Sequence, residues 1–125
     1  MESDEVHKNI GVHLLLNLFG CDESLATSAR KIEEMGLELL KEVGLTHLST
    51  QSHQFEPQGA TVIFLLAESH LSIHTWPEKG LIACDLFCCT DKQTLDQAKS
   101  KVELAAEKLI SFFKSTKSES QIVLR

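Results

Sequence analysis

The sequence has no surplus of positive charge: 12 Lys and Arg stand against 18 Asp and Glu, a formal net charge of −6 with histidines neutral. Grip on a phosphate backbone depends on clustered Lys and Arg, so a nucleic-acid partner is not expected. Long hydrophobic runs are missing as well. None approaches the ~20 residues that a membrane-spanning helix requires, and Met1 to Lys8 are polar and acidic rather than leader-like. No internal repeat is present. Nor is there a disulfide framework: of the four cysteines, Cys84, Cys88 and Cys89 crowd into six positions far from Cys21, and adjacent cysteines are awkward partners for each other. A reducing cytoplasm is the expected location. What remains is ordinary globular composition, 42% hydrophobic and 24% charged over 125 residues, which implies one domain spanning 1–125. A chain of this size leaves about a third of its unfolded-state surface exposed, so pairing with a second copy is plausible on size alone.

The apolar stretch Gly11 to Phe19, bounded by Gly20, reads as a strand. One helix of about five turns follows. Asp22 or Ser24 can cap it, Leu25, Ala29, Ile32, Met35, Leu39, Leu40 and Val43 form its apolar stripe, and Gly44 stops it. Strands are expected over Leu45–Phe55, Thr61–Ala67 and Leu81–Cys88, with turns at Pro57/Gly59 and Pro77/Gly80. A second amphipathic helix spans about Thr94 to Phe113, with Leu95, Ala98, Val102, Ala105, Leu109 and Phe112 on its apolar side. Lys114 to Gln121 reads as a polar linker before a short last strand, Ile122–Leu124. Together these give an α+β two-layer sandwich: a mainly antiparallel sheet with both helices on one face. The helix-free face, expected to carry Val62, Phe64 and Leu66, would need covering by a second subunit or another layer.

Chemistry concentrates between Glu68 and Glu78, where Glu-Ser-His-Leu-Ser-Ile-His-Thr-Trp-Pro-Glu places nucleophile, base and acid types together. His70 and His74, four apart with cysteines downstream, could suggest zinc. That spacing faces one way only on a helix, the flanks favour extended chain, and no C-x-x-C is present, so no metal is expected. Hydrogen-bonded turn histidines and core cysteines are the plain alternative to catalysis.

The string Glu68-Ser69-His70-Leu71, then Ile73-His74-Thr75-Trp76-Pro77-Glu78, resembles the self-processing motif of the short, prokaryotic-type (class 1B) S-adenosylmethionine decarboxylases. Gly11 with His13, Cys21-Asp22, His53 with Phe55, Pro57-x-Gly59 and Asp85-Leu86-Phe87 fall in the same order, so the resemblance spans about Gly11 to Asp91. It implies a decarboxylase of the polyamine pathway made as a zymogen. The Ser69 hydroxyl would attack the Glu68 carbonyl, and elimination would split the chain into 1–68 (β) and 69–125 (α). Ser69 would thereby become a covalent pyruvoyl group, the carbonyl that binds substrate as a Schiff base and replaces an external cofactor.

The resemblance also implies the helpers. His74 is the processing base and Thr61 its hydroxyl-bearing support; Cys89 is the proton donor, with neighbouring Cys88 left open as an alternative. Phe55 would stack on adenine and Glu78 would bind the ribose hydroxyls. The active site would lie between two protomers of an (αβ)2 homodimer, with Ser69 and Cys89 from one and His74, Phe55 and Glu78 from the other. Val12, Asn17, Thr61-Val62 and Thr90 depart from the family pattern, which leaves S-adenosylmethionine, arginine and ornithine open as substrates. A non-catalytic activator subunit is a further alternative.

Overall fold

The computed structural model describes residues 9–125; the acidic stretch Met1–Lys8 lies outside the described residues. Six strands form one sheet: β1 (Gly11–Phe19), β2 (His47–Gln54), β3 (Ala60–Leu66), β4 (Ser69–Trp76), β5 (Leu81–Cys89) and β6 (Lys117–Leu124). Their spatial order is β2-β3-β4-β5-β1-β6, with every neighbouring pair antiparallel. Two helices, α1 (Ala29–Val43) and α2 (Leu95–Phe113), pack on one face. α1 lies over β2 and β3, and α2 lies over β1 and β5.

Strand alternation decides what each face carries. In β1, Val12, Leu14, Leu16 and Leu18 turn toward the helices and are buried; Val62, Phe64 and Leu66 of β3, Leu71 and Ile73 of β4, and Ile82, Cys84, Leu86 and Cys88 of β5 do the same. The helices answer with Ile32, Leu39, Leu40, Val102, Ala105, Leu109 and Phe113. Complete burial of a side chain of this size contributes roughly 1.5–3 kcal/mol, so this layer holds the sheet's alternate residues in register. At Gly36 α1 leaves no room for a side chain, because a Cβ there would fall into the Phe64 ring.

The expected two-layer α+β sandwich is therefore present, with four local corrections. The first helix does not run from Asp22 onward. Asp22 caps a single 3-10 turn, Glu23–Leu25, and Ser28 caps α1 anew, its hydroxyl accepting from the Lys31 N–H. The Lys114–Gln121 stretch is no linker: most of it belongs to β6, an edge strand whose side chains are largely exposed and hence polar. Phe113, left out of the expected stripe of α2, is fully buried in the core, and Phe112 packs half-buried against it. Val62, Phe64 and Leu66 lie beneath the helices, while their neighbours Ile63 and Leu65 occupy the open face.

Candidate active site

The open face is built from the other half of each alternation: His13, Leu15 and Asn17; Thr61, Ile63 and Leu65; His70, Ser72, His74 and Trp76; Ala83, Asp85, Phe87 and Cys89. Leu15, Ile63, Leu65 and Trp76 are 39–51% exposed on it. Three groups of functional side chains sit here or at its ends.

The first group surrounds the Glu68–Ser69 peptide. Leu66 pairs with Ser69, so Ala67 and Glu68 form a two-residue hairpin loop between β3 and β4. The loop is pinned on every side. Ala67 N–H donates to the Thr46 carbonyl at 2.9 Å, and the Glu68 carboxylate accepts from Thr46 N–H at 2.9 Å and Thr46 Oγ1 at 3.0 Å. The Glu68 carbonyl oxygen accepts from Cys89 N–H at 3.0 Å. Ser69 has φ 154°, a backbone value favouring glycine that residues bearing a Cβ hold only under strain. Its Oγ lies 3.4 Å from His70 Nδ1.

Cys88 and Cys89 separate by face. Cys88 is buried toward the helices, accepts from Gln93 Nε2 at 3.1 Å, and has its thiol pKa raised chiefly by burial. Cys89 is half-exposed beside Ala67, Glu68 and Gln93 in a cleft at the sheet end. Only Cys89 is accessible from there.

The second group lies at the other end of β4. Phe55, Thr61, His74, Trp76 and Glu78 line a cleft of about 250 Å³. Thr61 pairs with His74 across β3 and β4, and its Oγ1 is 3.2 Å from His74 Nδ1. Trp76 stacks near the same imidazole, with ring centroids 6.4 Å apart and an interplanar angle of 27°. Thr75 fastens the floor by accepting from Ala60 N–H at 2.9 Å and donating to the Ala26 carbonyl at 2.7 Å. Phe55 is no core aromatic: it is half-exposed, with His53 edge-on at 4.6 Å.

The third group was not singled out by the sequence. Asp85 Oδ2 lies 2.7 Å from both His13 Nε2 and His70 Nε2, and Ser72 Oγ donates to Asp85 Oδ1. Partial burial alone would raise the Asp85 carboxyl, but the hydrogen bonds from Ser72, His13 and His70 outweigh it and hold it below the usual carboxylate range. Among the described residues, His13, His70 and Asp85 are the one set with metal-ligating atoms all within 4.8 Å, and their 2.7 Å contacts are hydrogen-bond lengths. Alternation puts His70, Ser72, Asp85 and His13 at outward positions, but their meeting depends on the register of β1, β4 and β5. The zinc set considered from sequence is not assembled. His70 and His74 are four residues apart on one strand, roughly 13 Å, and Cys84 and Cys88 point to the opposite face.

The family model described as S-adenosylmethionine decarboxylase matches residues 12–125. The chain belongs to the S-adenosylmethionine decarboxylase family. It is 44% identical over 89 residues to the S-adenosylmethionine decarboxylase proenzyme of Picrophilus torridus, covering 71% of this chain and 68% of that protein. Similarity to the proenzyme of Methanococcus maripaludis runs nearly end to end, 35% identical over 94% of this chain and 91% of the relative. The crystal structure of the adenosylmethionine decarboxylase from Aquifex aeolicus superposes with a TM-score of 0.82 at 35% identity, covering 94% of this chain and 91% of that one. Against this family frame, the departures at Val12 and Val62 are buried beneath the helices, whereas Asn17 is exposed on the open face. No helix among the described residues is long and apolar enough to cross a membrane.

Proposed function

We propose that this chain is the precursor of a pyruvoyl-dependent S-adenosylmethionine decarboxylase, which cleaves itself between Glu68 and Ser69 and supplies aminopropyl groups for polyamine synthesis. The observation that carries this reading is the strained, pinned hairpin at the Glu68–Ser69 peptide, with a carbonyl held by Cys89 N–H and a hydroxyl beside an imidazole. Position 69 fits a pyruvoyl group: it opens β4, so cleavage would free it as a chain end while the strand keeps it in place. Once formed, that α-keto carbonyl is the sink for the electrons released as carbon dioxide leaves.

The surrounding residues have separable tasks. Cys89, on the accessible side, returns a proton to the product carbon; Cys88 is turned away and packs. Phe55 stacks on adenine, worth about 1 kcal/mol beyond burial, and a nearby aromatic face also attracts the sulfonium cation. Glu78 accepts from the ribose hydroxyls. His74, supported by Thr61, assists the elimination that opens the chain.

These two sets of residues support a shared site. Ser69 and His74 are five positions apart on one extended strand, roughly 17 Å, too far for direct proton transfer within one chain. A two-fold axis over the open face would bring the Phe55–His74–Glu78 end of one protomer to the Ser69–Cys89 end of its partner, while covering Leu15, Ile63, Leu65 and Trp76. The reading is therefore a homodimer of cleaved protomers with two equivalent sites.

Purified protein incubated with carboxyl-labelled S-adenosylmethionine, arginine and ornithine in turn tests the substrate. Label should be released as carbon dioxide from S-adenosylmethionine alone. Release from arginine or ornithine alone overturns the substrate while leaving the carbonyl sink, and a monomer that still turns over overturns the shared site.

A further inference from the structure

This inference rests on the self-cleavage reading and adds a residue to it. We propose that His70 is the base that activates Ser69 for the first step of self-cleavage, oriented for that task by Asp85.

His70 Nδ1 is 3.4 Å from Ser69 Oγ, and His70 Nε2 is 2.7 Å from Asp85 Oδ2. A carboxylate only accepts, so Asp85 draws the imidazole proton to Nε2 and leaves the Nδ1 lone pair facing the Ser69 hydroxyl. Asp85 is itself fixed from two other directions, by His13 Nε2 on the same oxygen and by Ser72 Oγ on the other. The 3.4 Å contact is long for a hydrogen bond, as base contacts commonly are before the reacting groups close. The acceptor of the attack is prepared separately, because Cys89 N–H already donates to the Glu68 carbonyl oxygen where negative charge develops.

The step balances within the chain. The Ser69 Oγ–H proton passes to His70 Nδ1 as Oγ bonds to the Glu68 carbonyl carbon. The tetrahedral carbon then breaks its bond to the Ser69 nitrogen, which takes the proton back from His70, leaving an ester and a free amine. No oxidant, reductant or co-reactant is needed. His74, at the far end of β4, serves the later elimination from the partner side, so the two histidines of the motif divide successive steps. The alternation of β4 puts both on the open face.

The test follows self-cleavage of freshly made full-length protein by denaturing mass measurement, reading conversion to chains of 68 and 57 residues. His70→Ala should slow cleavage about a hundredfold. It should accumulate unbroken chain that hydroxylamine does not cut, because no ester forms, and added imidazole should restore cleavage. Asp85→Asn keeps the ring in place and should also slow cleavage, which covers the case in which His70→Ala folds poorly. Cleavage of either folded variant at the parent rate overturns the assignment. Hydroxylamine-sensitive ester in His70→Ala places His70 after the acyl shift and overturns it too. If EDTA abolishes cleavage of the parent and zinc or magnesium restores it, His13, His70 and Asp85 hold an ion and the base role is overturned. A parent chain that never cleaves defeats the underlying function instead.

Discussion

Strain at Ser69 can be measured apart from its chemistry. Ser69→Ala and Ser69→Gly both lack the hydroxyl, so both should remain whole, and they differ only in the Cβ. At φ 154° that Cβ is what makes the backbone unfavourable, and a residue held in such a region costs about 1–3 kcal/mol. Glycine removes this cost but loses about 0.4–1 kcal/mol through the greater freedom of its unfolded chain. Strain should win. Ser69→Gly is expected to be more stable than Ser69→Ala by about 1 kcal/mol, a rise in Tm of roughly 4 °C for a domain of this size. Urea unfolding of the two uncleaved variants, at one fixed protein concentration because the proposed dimerisation would contribute to apparent stability, gives the difference directly. If the alanine variant is equally or more stable, position 69 is relaxed and the hairpin stores nothing that cleavage could release.

Other outcomes follow from the same geometry. Cys89→Ser should lose at least ~100-fold in decarboxylation rate, whereas Cys88→Ser should chiefly lower the unfolding midpoint; the reverse pattern in a turnover assay would exchange their roles. Phe55→Ala and Glu78→Gln should each raise KM about tenfold with self-cleavage unchanged, as read by labelled carbon dioxide release and mass measurement. Gly36→Ala gains about 1 kcal/mol of helix propensity but drives a methyl into the Phe64 ring, so net destabilisation of about 1–2 kcal/mol in urea is expected. The depressed Asp85 carboxyl contributes stability that is present above its unfolded pKa of ~3.9 and lost as pH falls through its lower folded value. Measured in the uncleavable Ser69→Ala background, the stability gap between chains carrying Asp85 and Asp85→Asn should accordingly narrow below about pH 4.

Sequence patterning reached the two-layer sandwich because period-two and period-3.6 runs are long here, as in Val12–Leu18 and Leu95–Phe113. It misassigned faces where a run was uniformly apolar. From Ala60 to Leu66 nearly every residue is hydrophobic, so nothing local says that Val62, Phe64 and Leu66 turn inward while Ile63 and Leu65 stay out. It also merged Glu23–Leu25 with α1, because the apolar spacing continues across the break that Ser28 caps. At the site, the motif supplied Ser69, His74 and Glu78, and the wider resemblance supplied Phe55. The Asp85 cluster escaped because its members come from β1, β4 and β5, and only the strand register brings them to one carboxylate.

The strand order bears on what the proposed scission would leave behind. The segment before residue 69 contributes β1, β2 and β3, and the segment after it β4, β5 and β6, yet β1 lies between β5 and β6. A broken backbone at the hairpin would therefore yield two interleaved pieces, clasped along three seams, β3 with β4 and β1 with both β5 and β6. Severing the peptide would give position 69 the freedom of a terminus without giving either fragment a way out.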